Sequence, residues 1–169
     1  MKRWKKIFVL LIIIFIGIQF FRPEKNQATQ VLPTDISKVY GTPEDVQTIL
    51  SKACNDCHSN HSVYPWYFNI QPVAWWMTNH INDGKNNINF SEFGSYRIAK
   101  QYKRMQDCIN EVKHGDMPLN SYTWIHKNAI LTDQEKQKIY DWCTAIRDSI
   151  KAKYPADSLK MPERKQEED

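Results

Sequence analysis

Cys54-Asn55-Asp56-Cys57-His58 sets two thiols around a two-residue spacer, with an imidazole directly after the second thiol. This C-x-x-C-H order is the signature of covalent c-type haem attachment. Two thiols so spaced add to the two vinyl groups of one porphyrin. The adjoining histidine is then held under the ring, where its imidazole ligates iron. A chain built on this motif must fold around a large, flat, apolar group. The remaining residues are therefore expected to supply a pocket, a second iron ligand and an oxidising compartment.

Two other chemistries use the same residue types. A thioredoxin-like dithiol needs C-x-x-C beside a βαβ pattern, and no such alternation is visible. Structural zinc needs four Cys or His ligands, usually in two spaced pairs. Cys54, Cys57, His58 and His61 could contribute, but Cys108 and Cys143 are isolated and form no second pair. One covalent haem is the favoured reading.

The N-terminus bears on compartment. Lys2, Arg3, Lys5 and Lys6 precede an uncharged apolar run over residues 7–21, which ends at Arg22, Pro23 and Glu24. A spanning helix needs about 20 apolar residues, or about 17 at the low end, and Trp4 at the interface brings the run near that limit. The basic cluster should stay cytoplasmic, placing the rest of the chain outside. A cleaved signal peptide is the rival reading. It wants small residues at the cleavage site, whereas this run ends Gly17-Ile18-Gln19-Phe20-Phe21 and no lipid-acceptor cysteine follows. An uncleaved signal anchor is favoured, with the haem domain on the periplasmic side of the cytoplasmic membrane.

The net charge of +4 is carried by those first basic residues. No basic stripe suggests nucleic acid, and no Gly-rich phosphate loop is present. Residues 23–41 are polar, contain Pro23 and Pro33, and read as a linker. Thr42-Pro43-Glu44-Asp45 announces a helix with Thr42 as N-cap; Val46, Ile49, Leu50 and Ala53 form its apolar stripe. Residues 60–70 are aromatic and loop-like. Pro72 opens a second helix through Trp75, Trp76 and His80, ending near Gly84. A third spans residues 95–114, with Ile98, Tyr102, Met105, Ile109 and Val112 at helical spacing and Gly115 as its stop. Thr132 and Glu135 form a capping box for the last helix, which carries Ile139, Trp142, Ile146 and Ile150 on one face. The domain plan is residues 1–22 as anchor, 23–41 as linker, 42–155 as an all-α haem-binding domain, and 156–169 as a charged, disordered tail.

Cys54-x-x-Cys57-His58-Ser59-Asn60 is followed by Tyr64-Pro65-Trp66-Tyr67, Pro72-Val73, Trp75, His80, Gly84 and Asn89-Phe90-Ser91. The second half adds Gly115-Asp116-Met117-Pro118, Tyr122, His126, Leu131-Thr132, Glu135 and Trp142. This set resembles the small haem-binding domain family of bacterial envelope proteins. The resemblance implies a helical, cytochrome c-like domain with one covalent haem; it does not imply a defined substrate.

His58 is the expected proximal ligand. For the distal position, Met117 precedes proline in a late loop, as in small c-type cytochromes, and Pro118 restrains the backbone there. Its bland reading is a core filler. His80 is the runner-up and would give a lower potential; its bland reading is a histidine favoured near a helix C-terminus. His61, three residues after His58 on a continuing helix, would stay on the same side of the ring. His126 precedes the last helix, and His114 sits at a helix end. Two or three of Trp66, Tyr67, Phe68, Trp75, Trp76, Phe90 and Phe93 should touch porphyrin. Cys108 and Cys143 either form a disulfide between two helices or remain buried thiols.

The function expected is a membrane-anchored periplasmic monohaem cytochrome that passes single electrons between redox partner proteins, a carrier more than an enzyme. The alternatives are a haem-based sensor or a peroxidase-like enzyme with a displaceable distal ligand.

Overall fold

The computed structural model describes residues 2–162. The expected disorder of residues 163–169 lies outside the described residues. Among the described residues, eight α-helices follow one another: α1 (Lys2–Ile18), α2 (Ile36–Val39), α3 (Glu44–Ala53), α4 (Asn55–His58), α5 (Val73–Asn87), α6 (Ile98–His114), α7 (Asn120–Ile125) and α8 (Asp133–Lys153). Short 3-10 turns at Trp66–Asn69, Phe90–Ser95, Lys127–Ala129 and Ala156–Leu159 link them. The regular elements among the described residues are all helical, and their one strand-like feature is an isolated antiparallel bridge between Gln27 and His61.

The core forms where α3, α6 and α8 turn their apolar stripes together. Val46, Ile49, Leu50 and Ala53 of α3, Met105 and Val112 of α6, and Ile139, Trp142, Cys143, Ile146 and Ile150 of α8 are buried in one cluster. Full burial of each Ile or Leu is worth roughly 1.5–3 kcal/mol, so these helices hold the scaffold to which the shorter elements attach. The Thr132–Glu135 capping box is present, with Glu135 N–H donating to Thr132 Oγ1 at 3.2 Å and Thr132 N–H to Glu135 Oε2 at 2.9 Å. Gly115 closes α6 at φ +81°, a left-handed conformation that suits glycine.

Several boundaries differ from expectation. The linker is docked on the domain. Ala28 N–H donates to Asn60 O and Ser62 N–H to Asn26 O, both at 2.8 Å. Asn26 Nδ2 reaches Ser59 O and Ser62 Oγ, and Ile36 is buried in the core. These bonds pair backbone that composition alone reads as solvated. α3 starts at Glu44 with Pro43 at its N-cap; Thr42 makes no cap, and its Oγ1 is buried without a partner. α5 passes through Gly84 because that glycine serves a close approach, described below. Ordered chain extends past residue 155, with Leu159 packed against the core.

Among the described residues, no helix is long and apolar enough to cross a membrane. α1 is nonetheless apolar on every side from Ile7 to Ile16, and its large side chains there are 42–65 % exposed.

Candidate functional site

Leu50 O accepts from Cys54 N–H at 2.9 Å and ends α3, and Cys54 then caps the single turn α4. This break sets Cys54, Cys57 and His58 along one wall of a cleft of about 530 Å³, within the usual range for ligand sites of roughly 300–1,000 Å³. Met117, Pro118, Leu119 and Tyr122 line the same cleft from the loop after α6 and from α7. Phe90, Ile88 and Val112 add apolar wall. All four residues expected to hold haem therefore converge on one space from two distant stretches of chain.

His58 is held in one tautomer. Its Nδ1 lies 3.0 Å from both Gly84 O and Ile88 O. Carbonyls only accept, so Nδ1 carries the proton and donates to both, leaving Nε2 as the lone-pair atom. Burial lowers the His58 pKa, against the opposing pull of the two carbonyls, and favours the neutral ring. A neutral imidazole donating its other N–H to backbone carbonyls is the usual arrangement of a metal-ligating histidine.

Gly84 makes that geometry reachable. A Cβ there would lie 2.6 Å from Cys57 O, so α5 touches the motif where only hydrogen fits. Burial, then the neighbouring Cys108 and Cys57, pushes the Cys54 thiol far above its ordinary range. Burial and Asp56 push Cys57 up to about 11. A redox dithiol needs the opposite, a readily formed thiolate. Among the described residues, no group of three His, Cys, Asp or Glu side chains is arranged to hold a metal ion. A porphyrin supplies its own four nitrogens and needs from the protein only axial ligands, which this donor set fits.

The helix stops at His58, so His61 does not share its face. His61 is exposed, with Nδ1 against Ala28 O at 3.0 Å. His80 does line the cleft, with Nδ1 on Trp76 O at 2.9 Å and its ring 4.3 Å from the Trp76 ring. Of the seven aromatics expected near porphyrin, Phe90 alone lines the cleft; its ring centroid is 6.1 Å from that of His58. Phe68 and Phe93 are buried in the protein, while Tyr67 and Trp76 line an adjoining apolar recess with His126. His114 is exposed at the end of α6. Met105 belongs to the core, and Met77 lines the recess.

Sequence reasoning gave no role to Asp56 or Leu119 and did not place Cys108 beside the motif, yet all three are on the cleft wall. Tyr122 entered only through the resemblance. Tyr122 Oη donates to Asp56 Oδ2 at 2.7 Å, and the His126 ring stacks on Tyr122 at 4.3 Å. Cys108 and Cys143 are free thiols. The neighbouring Cys108 thiol, then burial, raises the Cys143 pKa.

Residues 13–145 match the family described as a haem-binding domain. The chain belongs to the haem-binding domain family. No curated protein and no solved structure matches it. The family span covers both walls of the cleft, from the motif on α4 to the Met117 loop and α7, as well as most of α8. Haem binding is thus a property of the domain that carries the cleft.

Proposed function

We propose that this chain is a membrane-anchored monohaem c-type cytochrome that carries single electrons on the periplasmic side of the cytoplasmic membrane. The observation that carries this reading is the convergence of Cys54, Cys57, His58 and Met117 on one cleft. Cys54 and Cys57 would hold haem through thioethers, with His58 and Met117 as axial ligands. Bound haem supplies a one-electron iron couple, and His/Met ligation raises its potential. The bonds from His58 to Gly84 and Ile88 orient the imidazole and raise its basicity as a ligand. The apolar wall limits water, which also tunes the couple.

α1 supports the anchor. A helix apolar all round belongs either in a protein core or in lipid, and the large side chains of this one from Ile7 to Ile16 are 42–65 % exposed. Lys2, Arg3, Lys5 and Lys6 favour a cytoplasmic N-terminus.

His80 favours a second ligation, because it too lies on the cleft. Bis-histidine iron would serve the same carrier role at a lower potential.

Optical spectroscopy of the full chain, matured with haem-attachment machinery, tests the proposal. Low-spin iron with a methionine-to-iron charge-transfer band is expected. High-spin iron that binds carbon monoxide or turns over peroxide rapidly would replace the carrier with a sensor or peroxidase. Cys54→Ala with Cys57→Ala should abolish haem that survives a denaturing gel, and retained haem in that variant would reject covalent attachment.

A further inference from the structure

α1 is joined to the domain by a fixed contact. Gln71 N–H donates to Gln19 Oε1 at 2.9 Å, and Gln19 Nε2 donates back to Gln71 O at 3.3 Å. The buried Gln71 side chain donates through Nε2 to Phe21 O at 2.7 Å, and the Trp75 indole N–H donates to the same carbonyl at 3.0 Å. The start of α5 and the end of the apolar run therefore share one joint.

Exposed aromatic and apolar side chains lie at this joint and in the segment on either side of it in sequence. Phe20 is 83 % exposed, Phe21 69 %, Trp66 75 % and Trp76 49 %, with Ile70 and Trp75 at 37 % each. The chain here is also free of charge. Residues 57–82 contain no Asp, Glu, Lys or Arg, in a protein where these make up 25 % of residues. Arg22 donates to Gln19 O at 3.3 Å and the Lys25 ammonium lies 5.6 Å from the Tyr64 ring, so cations border the aromatic segment. Aromatic rings flanked by Lys and Arg are the composition of membrane-interface belts.

The length of α1 gives this surface a purpose. Its uncharged stretch over residues 7–18 rises about 18 Å along the axis, against a hydrocarbon core of about 30 Å. Snorkelling of the basic residues recovers part of the shortfall at the N-terminal end. At the other end there is no further helix, only the joint and its aromatics.

We propose that the face carrying Trp66, Ile70, Trp75 and Trp76 seats in the headgroup interface of a phospholipid bilayer, completing an anchor that α1 alone is too short to provide. This rests on the membrane reading of α1. It replaces a swinging tether with a seated domain. From Val73 to Gly84, α5 rises about 17 Å, so the cleft is carried at a set offset from the joint and serves partners at the lipid surface.

The full chain reconstituted in phosphatidylcholine–phosphatidylglycerol vesicles, doped with a phospholipid bearing a photoactivatable diazirine near its headgroup, tests this by mapping lipid adducts. Adducts on residues 66–76 as well as on residues 7–21 are expected, and Trp66→Ser with Trp76→Ser should lose those on the first segment. Adducts confined to residues 7–21 would leave the anchor intact and overturn the seated face. Crosslinks joining residues 66–76 of two chains, without lipid adducts there, would assign the face to a second copy and overturn it too. Absence of adducts on both segments would overturn the anchor itself and this inference with it.

Discussion

Tyr122 Oη donates to Asp56 Oδ2 at 2.7 Å, tying the first helix after the Met117 loop to the spacer of the C-x-x-C-H motif. The two walls of the cleft are thereby bonded to each other. Asp56 also accepts from Val63 N–H through Oδ1 at 2.9 Å, so one carboxylate braces three segments. Burial first, then Asp56, raises the Tyr122 pKa, which keeps its hydroxyl a donor at any ordinary pH.

Tyr122→Phe should leave the half-buried Asp56 Oδ2 without this partner and cost about 0.5–1.5 kcal/mol, the usual net worth of one hydrogen bond. Asp56→Ala should cost more, because it frees Val63 N–H as well. Urea unfolding of both variants measures the difference, and equal stability of Tyr122→Phe and parent would show that the bond is not formed in solution.

Gly84→Ala should be disruptive out of proportion to one methyl group. Its Cβ would sit 2.6 Å from Cys57 O and 3.1 Å from Cys57 Cβ. Backbone cannot yield as a side-chain tip does, so about 1–3 kcal/mol of overpacking strain is expected, with reduced haem attachment. Gly17→Ala, with nothing within 4 Å, is the matched control and should be silent. Haem-stained gels and thermal melts read both.

Met117→Ala should abolish the methionine charge-transfer band, and Met117→His should restore low-spin iron at a lower potential. His80→Ala should leave the spectrum unchanged. High-spin iron in His80→Ala, with a normal spectrum in Met117→Ala, would instead establish bis-histidine ligation.

Glu135 gives the clearest pH dependence. The Lys52 ammonium, 2.6 Å from Glu135 Oε1, and then Thr132 N–H hold its carboxyl below its ordinary value of 4.5. A depressed folded value means the stabilisation is present above pH 4.5 and is lost as pH falls through the lower folded value. Glu135→Gln should therefore lower stability at neutral pH by about 1 kcal/mol or less, and the gap to the parent should close in acid. Chemical denaturation at pH 7 and pH 3 checks this.

The sequence by itself determined what is local. The C-x-x-C-H motif points to haem, because its signal lies in the spacing of a few residues, and the chain belongs to a haem-binding domain family. The stripes on α3, α6 and α8 follow from helical period, and the capping box at Thr132 from two residues three apart. Only the tertiary structure decided what depends on distant chain meeting: that Ile88 and Gly84 hold the His58 proton, that Tyr122 reaches Asp56, and that His61 falls away from the cleft. Gly84 looks like a helix stop in sequence because glycine marks both stops and close approaches; only the packing of α5 on Cys57 tells them apart. Residues 23–41 look like a linker because polar composition does not record hydrogen bonds made to residues 33 or more positions away, such as Asn26 to Ser59 and His61 to Ala28.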